Sequence, residues 1–368
     1  MLFALAILVA ACNGGNRPIR IGIAGPFSEP RGQSMLAAAR LAVEEINTQR
    51  GGIGGRPLEL VEADDSAQNV RAIQIAQRFR DDPTIVAVIG HLTSGTTIAA
   101  ADIYNSGDNP IIAISPSASN PELTGIGRYT FRVCATDEVH GTVLARFAVQ
   151  RLGARNAAII YLNDDYGRGI LRTFADELRA LGGTVVSQDP VLGDGTDLVP
   201  YLERLQRDGR TQVLMVAGDR ATASAVLRQA RGRGMTMPLF GGDGLSGIQA
   251  EGALAEGVYL TSNYLPERPG DINAAFLQAY AAANNGALPD HRGAGAYDAL
   301  HIIASALEEA GTDREKLRDA IAAVGNSRPA YEGVTGRIAF DDRGDVKDKS
   351  VLVAVVRDGR IVMAESQP

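Results

Sequence analysis

The chain has 368 residues, more than a single hydrophobic core usually supports, so two folded units are expected. Hydrophobic residues make up 45% of it, which excludes a disordered composition. With 36 basic against 43 acidic residues the formal net charge is −7, interspersed in sign, which argues against nucleic acid held by a general positive field.

The predicted elements begin with an apolar run over residues 2–11, too short to span a bilayer as a helix. It closes on Val9-Ala10-Ala11-Cys12 and is followed by the polar stretch Asn13-Gly14-Gly15-Asn16. An apolar run ending in small residues reads as an export signal. A cysteine directly after them looks like a lipobox, in which Cys12 is acylated and becomes the mature N-terminus. Residues 1–16 are therefore expected to be lipoprotein signal and tether; the alternative is a buried N-terminal strand with a chance cysteine. Cys134, the second of two cysteines, then has no disulfide partner and is expected to be a small buried apolar residue.

After the tether, short apolar runs alternate with amphipathic helices. A strand over 19–24 precedes a helix over 33–49 that ends at Gly51-Gly52-Ile53-Gly54-Gly55. Strands over 58–61, 85–89, 111–114 and 129–133 follow, with helices over 69–80 and 96–104 between them. A second set opens after Asp137, with helices over 139–152, 170–181, 198–207 and 221–231 and strands over 157–161, 184–187, 213–216 and 239–240. Helices over 273–283, 296–310 and 315–324 and a β-rich tail over 334–362 complete the chain.

Such alternation with β-branched strands implies parallel sheets covered on both faces. The predicted fold is α/β, two doubly wound Rossmann-like lobes joined by a hinge of several crossing strands. The first lobe is expected from 17–136 with 262–340, and the second from 137–261 with 341–368.

In open parallel sheets ligands bind at the carboxyl ends of strands, where helix N-termini present unpaired N–H groups. The turn after residues 85–89 reads Gly90-His91-Leu92-Thr93-Ser94-Gly95, and the next hydroxyl-rich turn reads Ser115-Pro116-Ser117-Ala118-Ser119-Asn120. One such turn is usually a helix cap; two on neighbouring strands can equally form an anion cradle. In the second lobe the matching turns are Asn163-Asp164-Asp165-Tyr166-Gly167, Gly218-Asp219-Arg220 and Gly241-Gly242-Asp243-Gly244. Asp243 among glycines suits an Asx turn or a carboxylate facing a crevice. Hydroxyls on one lobe and a carboxylate on the other match the two ends of an α-amino acid.

The chain resembles the leucine- and branched-chain amino-acid-binding proteins of ABC importers, the class I periplasmic binding proteins. The resemblance runs from Ile19 to the C-terminal strands. It is carried by Ala42-Val43-Glu44-Glu45-Ile46-Asn47 with Gly51-Gly52-Ile53, by Asp64-Asp65, and by the two hydroxyl-rich turns. Asp164-Asp165-Tyr166-Gly167, Leu227-Arg228-Gln229-Ala230-Arg231 and Val334-Thr335-Gly336-Arg337-Ile338-Ala339-Phe340-Asp341 also match. Each fragment is weak alone; their order and spacing are specific.

The resemblance implies that Ser94, through its main-chain amide, holds a ligand carboxylate, helped by the amide or hydroxyl of Ser119. Ser117 would offer its carbonyl, and Asp243 its carboxylate, to the α-ammonium, with Leu92, Tyr166 and Tyr297 walling the pocket. Tyr297 sits in a helical pattern and can equally be a core aromatic. Some members carry a first-lobe disulfide whose matching positions here are Ser66 and Thr93. Where an aromatic residue is common the chain has Asp219, and Arg31 stands near an aromatic lid position. If both face the cleft, a purely aliphatic ligand fits poorly; surface solvation is the alternative.

The resemblance further implies an extracytoplasmic monomer that delivers its small-molecule ligand to ABC permease subunits, bound to the membrane through its lipid only. No cofactor, metal or nucleic acid is expected. A sensor for another small carboxylate or amide is the alternative function. An enzyme is disfavoured: Gly167-Arg168-Gly169-Ile170-Leu171-Arg172 puts arginine where a dinucleotide turn needs a small residue, and His91, His140, His291 and His301 lack metal-ligand spacing. A transcription regulator would need a helix-turn-helix in place of the export signal.

Overall fold

The computed structural model describes residues 17–192 and 197–364; the expected signal and Cys12 lie outside the described residues. Strand β1 (Ile19–Gly25) leads into helix α1 (Pro30–Gln49), where Pro30 occupies a first-turn position whose N–H would have no partner anyway. β2 (Leu58–Asp64), α2 (Asn69–Asp81), β3 (Ile85–Ile89), α3 (Ser94–Asn105), β4 (Ile112–Ser115) and β5 (Thr130–Arg132) complete the first lobe's parallel sheet, in the order β2-β1-β3-β4-β5. β3 and β4 are buried along their whole length, as strands covered by helices on both faces must be.

The second set runs α4 (Asp137–Gln150), β6 (Asn156–Leu162), α5 (Asp165–Ala180), β7 (Thr184–Val191), α6 (Val199–Asp208), β8 (Val213–Ala217), α7 (Arg220–Gly232), β9 (Leu239–Gly241) and β10 (Tyr259–Ser262). The chain then crosses back for α8 (Asp271–Ala283), α9 (His291–Ala310), α10 (Arg314–Ala322) and a hairpin of β11 (Tyr331–Gly333) and β12 (Gly336–Ile338). A last crossing brings β13 (Leu352–Arg357) and β14 (Arg360–Met363) to the second sheet, β14-β13-β10-β9-β8-β6-β7, where β13 pairs antiparallel with β10.

The cores follow this connectivity. Leu300, Ile302 and Ile303 of α9 pack with Ile21, Ile23 and Met35, so the late helices belong to the first lobe. Leu260 and Ala354 pack with Leu214 and Val216 in the second. The first two crossings are tied where Ala135 N donates to Asn263 Oδ1 at 2.9 Å.

Two predicted boundaries move. Residues 341–345, expected in the second lobe, pack on the first: Arg132 Nε donates to Asp345 Oδ1 at 2.6 Å, and Arg132 N to Gly344 O at 3.1 Å. The β-rich tail is broken here because Phe340 and Val346 form only an isolated bridge, and β13 begins at Leu352. Helix α9 starts at His291 rather than at 296, with Asp290 Oδ1 accepting from Arg292 N at 3.0 Å and Gly293 N at 3.1 Å. Gly293 and Gly295 hide this first turn from a hydrophobic-periodicity reading. Close packing requires them: a Cβ on either would lie 2.7 Å from Ser34 Oγ or Pro116 O.

Cys134 is buried and free, its Sγ 3.5 Å from Ala118 O, and burial pushes its thiol up to about 12, as befits an inert core residue.

Candidate functional site: an interlobe gap

On the first lobe, the β3–α3 turn divides its hydroxyls between two tasks. Thr93 caps α3, its Oγ1 accepting from Thr96 N at 3.4 Å. The amides of the first helical turn, at Ser94 and Gly95, have no acceptor within the helix and carry the positive end of its dipole. Ser94 itself is 2% exposed, and its Oγ accepts from Asn120 N at 3.3 Å. The neighbouring turn is locked by Ser115, whose Oγ accepts from Ala118 N at 3.0 Å and donates to His91 O at 2.7 Å. That leaves Ser117 on the open side, its Oγ 3.4 Å from His291 Nε2.

On the second lobe, Asp243 follows β9 in a short 3₁₀ turn. The Tyr166 hydroxyl donates to Asp243 Oδ1 at 3.0 Å and accepts from Gly244 N at 2.9 Å. The flanking glycines make this approach possible, since a Cβ on Gly242 would lie 2.4 Å from the Tyr166 hydroxyl oxygen. Asp243 Oδ2 is buried without a hydrogen-bond partner; His291 Nε2 stands 3.4 Å and His140 Nε2 3.9 Å away.

Burial alone would push the Asp243 carboxyl up, but His140, His291, the Arg292 guanidinium and the Tyr166 hydroxyl hold it below its ordinary value. The His291 ring is itself driven down to about 4, by burial first and then by Arg292. Burial also lowers His140. With His291 uncharged near neutrality, Arg292 is the standing positive charge beside the carboxylate, and it is already shared with Asp290 through a 2.7 Å Nη1–Oδ2 bond. An ionised carboxylate so placed calls for a further cation.

The two lobes enclose a gap of about 260 Å³ between these turns. It brings together Leu92, Ser94 and Ser117 from one side with Tyr166, Asp219 and Asp243 from the other, and Arg31 reaches into it as well. Ser119 is not in this wall: it is fully buried one layer behind, where Asp137 N donates to its carbonyl at 2.8 Å. Tyr297, expected to wall the pocket, instead packs in the first-lobe core. Its ring lies 4.5 Å from those of Phe276 and His301, and its hydroxyl donates to Glu45 Oε2 at 2.6 Å. The physical reason is its helical position, which turns it inward from the first turn of α9.

That first turn is what the sequence reading missed. His291 and Arg292 stand at the gap because α9 begins one turn earlier than the apolar pattern suggests, and the Asp290 cap was the available signal. His140 was visible only as one of four scattered histidines. Among the described residues no cluster of histidine, cysteine and acidic side chains could hold a metal ion.

A family model described as periplasmic binding protein matches residues 18–360. The chain belongs to the periplasmic binding protein family. Within this family it is 29% identical over 343 residues to the leucine-, isoleucine-, valine-, threonine- and alanine-binding protein of Pseudomonas aeruginosa, covering 90% of this chain and 87% of that one. Among solved structures it resembles the branched-chain amino acid transporter substrate-binding protein of Streptococcus pneumoniae in complex with isoleucine. The TM-score is 0.85 at 28% identity, over 94% of this chain and 98% of that one. A leucine complex of an ABC transporter substrate-binding protein from Desulfitobacterium hafniense gives a TM-score of 0.82 at 32% identity, over 95% and 100% of the two chains. This periplasmic binding protein thus has the two-lobed type I fold.

Proposed function

We propose that this periplasmic binding protein captures an α-amino acid between its lobes and delivers it to an ABC importer. The observation that carries the reading is the buried, unpartnered Asp243 Oδ2 facing the helix N-terminus at Ser94 across one small gap. The ligand's α-ammonium sits against Asp243, and its α-carboxylate against the first-turn amides of α3, with the Ser117 carbonyl as a further acceptor. Ser119 acts from behind, through its contacts with the Asp137 turn. Both ends are held by charge-assisted hydrogen bonds out of water. The leucine and isoleucine complexes of its relatives support this assignment.

The protein works as a monomeric receptor without catalysis. His291 lies between Ser246 Oγ, 3.2 Å from its Nδ1, and Asp243, which has the outline of a serine–histidine–carboxylate set. A ring held at about 4 is too weak a base near neutral pH to activate the serine.

The test is a calorimetric titration with L-amino acids and their des-amino counterparts. For every amino acid that binds, loss of the α-amino group is expected to raise Kd at least tenfold, since truncating one partner of a buried charge pair costs about 2–5 kcal/mol. Equal affinity for the des-amino acid removes the ammonium from Asp243.

The receptor is exported and anchored to the membrane by acylation of Cys12. Cys12→Ser is expected to release it from the membrane fraction of the native host, and continued sedimentation with membranes ends that part of the reading.

A further inference from the structure

At one end of the 260 Å³ gap stands a screen of three charged side chains, and beyond it opens a second interlobe cavity of about 690 Å³. Arg31 from the first turn of α1, Asp219 from the cap of α7 and Arg292 from the first turn of α9 line both spaces. Each lines the gap with part of its bonding capacity satisfied and part left over. Arg31 Nε donates to Glu29 Oε2 at 2.7 Å, but its Nη1 is 3.9 Å from Asp219 Oδ2, beyond hydrogen-bond reach. Asp219 Oδ1 accepts from Thr222 N and Oγ1, both at 2.9 Å, leaving Oδ2 over. Arg292 Nη1 is bound to Asp290, while Nη2 reaches only Asp243 O at 3.5 Å.

The screen therefore offers donors and one acceptor side by side. An aliphatic side chain lodged there would strip water from a guanidinium and a carboxylate and return no hydrogen bond. An anionic group would meet Asp219 and, at the rim, Asp164; a cationic one would meet Arg31 and Arg292. A neutral carboxamide satisfies both halves, its oxygen accepting from the guanidinium groups and its N–H donating to Asp219 Oδ2.

We propose that Arg31, Asp219 and Arg292 select an α-amino acid whose side chain ends in a neutral carboxamide. The assignment rests on the α-amino-acid reading of Asp243 and Ser94. The amide has two possible sources: a primary side-chain amide, or a substituted one whose extension passes the screen into the 690 Å³ cavity.

The experiment is a calorimetric titration of protein freed of co-purified ligand by denaturation and refolding. The probes are L-glutamine, L-asparagine, γ-glutamylglycine, L-leucine, L-glutamate and L-lysine, and des-amino controls are run in parallel. At least one amide-bearing amino acid is expected to bind tenfold or more tightly than leucine, glutamate and lysine. A lead for glutamine or asparagine supports the primary amide, and a lead for γ-glutamylglycine the substituted one. Arg31→Met is expected to cut the ratio of amide to leucine affinity at least tenfold, a change in selectivity that a purely structural role would not produce. Leucine, glutamate or lysine matching the best amide overturns the carboxamide assignment while leaving the amino-acid reading standing. Binding of des-amino acids as tight as that of amino acids, or no binding by any probe, overturns both.

Discussion

Asp243→Ala is expected to raise the Kd for a bound α-amino acid at least tenfold while leaving the unliganded protein folded. The carboxylate is 2% exposed, with one oxygen held by Tyr166 and the other unpartnered. A buried carboxylate oxygen with no hydrogen bond costs folding stability, and the same charge can anchor a ligand ammonium. Its removal strands a ligand ammonium out of water, and a broken buried charge pair of this kind costs about 2–5 kcal/mol. Thermal melts separate the two effects. The unliganded variant should melt within a few degrees of the parent, whereas the ligand-induced rise in Tm, which follows occupancy, should collapse. Asp243→Asn, which keeps an acceptor for Tyr166 and loses the charge, should behave like the alanine variant in binding. Wild-type affinity in either variant removes the carboxylate from the site.

Asp137→Asn is expected to abolish much of the pH dependence of folding stability between about pH 4 and 8. Asp137 opens α4 just after the first crossing, fully buried, and neither carboxylate oxygen has a hydrogen bond of normal geometry. Burial above all pushes its carboxyl up to about 8; the neighbouring Asp243 charge adds to this, while the Ser119 hydroxyl and Arg132 work against it. The folded protein thus keeps a proton that the unfolded chain releases near pH 4. A raised carboxyl of this kind contributes stability that is fully present below the unfolded value and lost as pH rises through the folded one. From this group alone, stability should fall by about 1 kcal/mol per pH unit across the window. Urea titrations at pH 4, 6 and 8.5 provide the check. The asparagine variant should match the parent at pH 4 and exceed it at pH 8.5, and parallel curves would show that Asp137 is ionised in the native state.

Much of the site was legible because its elements advertise themselves locally. The hydroxyl-rich turns after β3 and β4 and the glycine-flanked Asp243 are each contiguous, and parallel-sheet topology gathers such turns at one end of the strands. The readings left open were those whose answer depends on partners. Asp219, left open between solvent and cleft, caps α7 through Oδ1 and also lines the gap. Arg31 carried no local sign of pointing to Asp219 of the other lobe rather than to solvent.

What the sequence by itself determined about this protein is the alternation of strands and helices, the two-lobed class and the residue types available to each turn. Hydrophobic period, glycine stops and caps act over a few residues and need no distant partner. Tertiary structure alone decided that Tyr297 belongs to the core, that 341–345 return to the first lobe, and that His291 and Arg292 complete the gap. Ser117 and His291 are 174 residues apart and meet only because the chain crosses between lobes more than once. Burial then does what no local pattern can: it strips water from Asp243 and Asp137 and pushes both carboxyls up, and the groups the fold has placed around each decide the outcome, below the ordinary value for Asp243 and above it for Asp137.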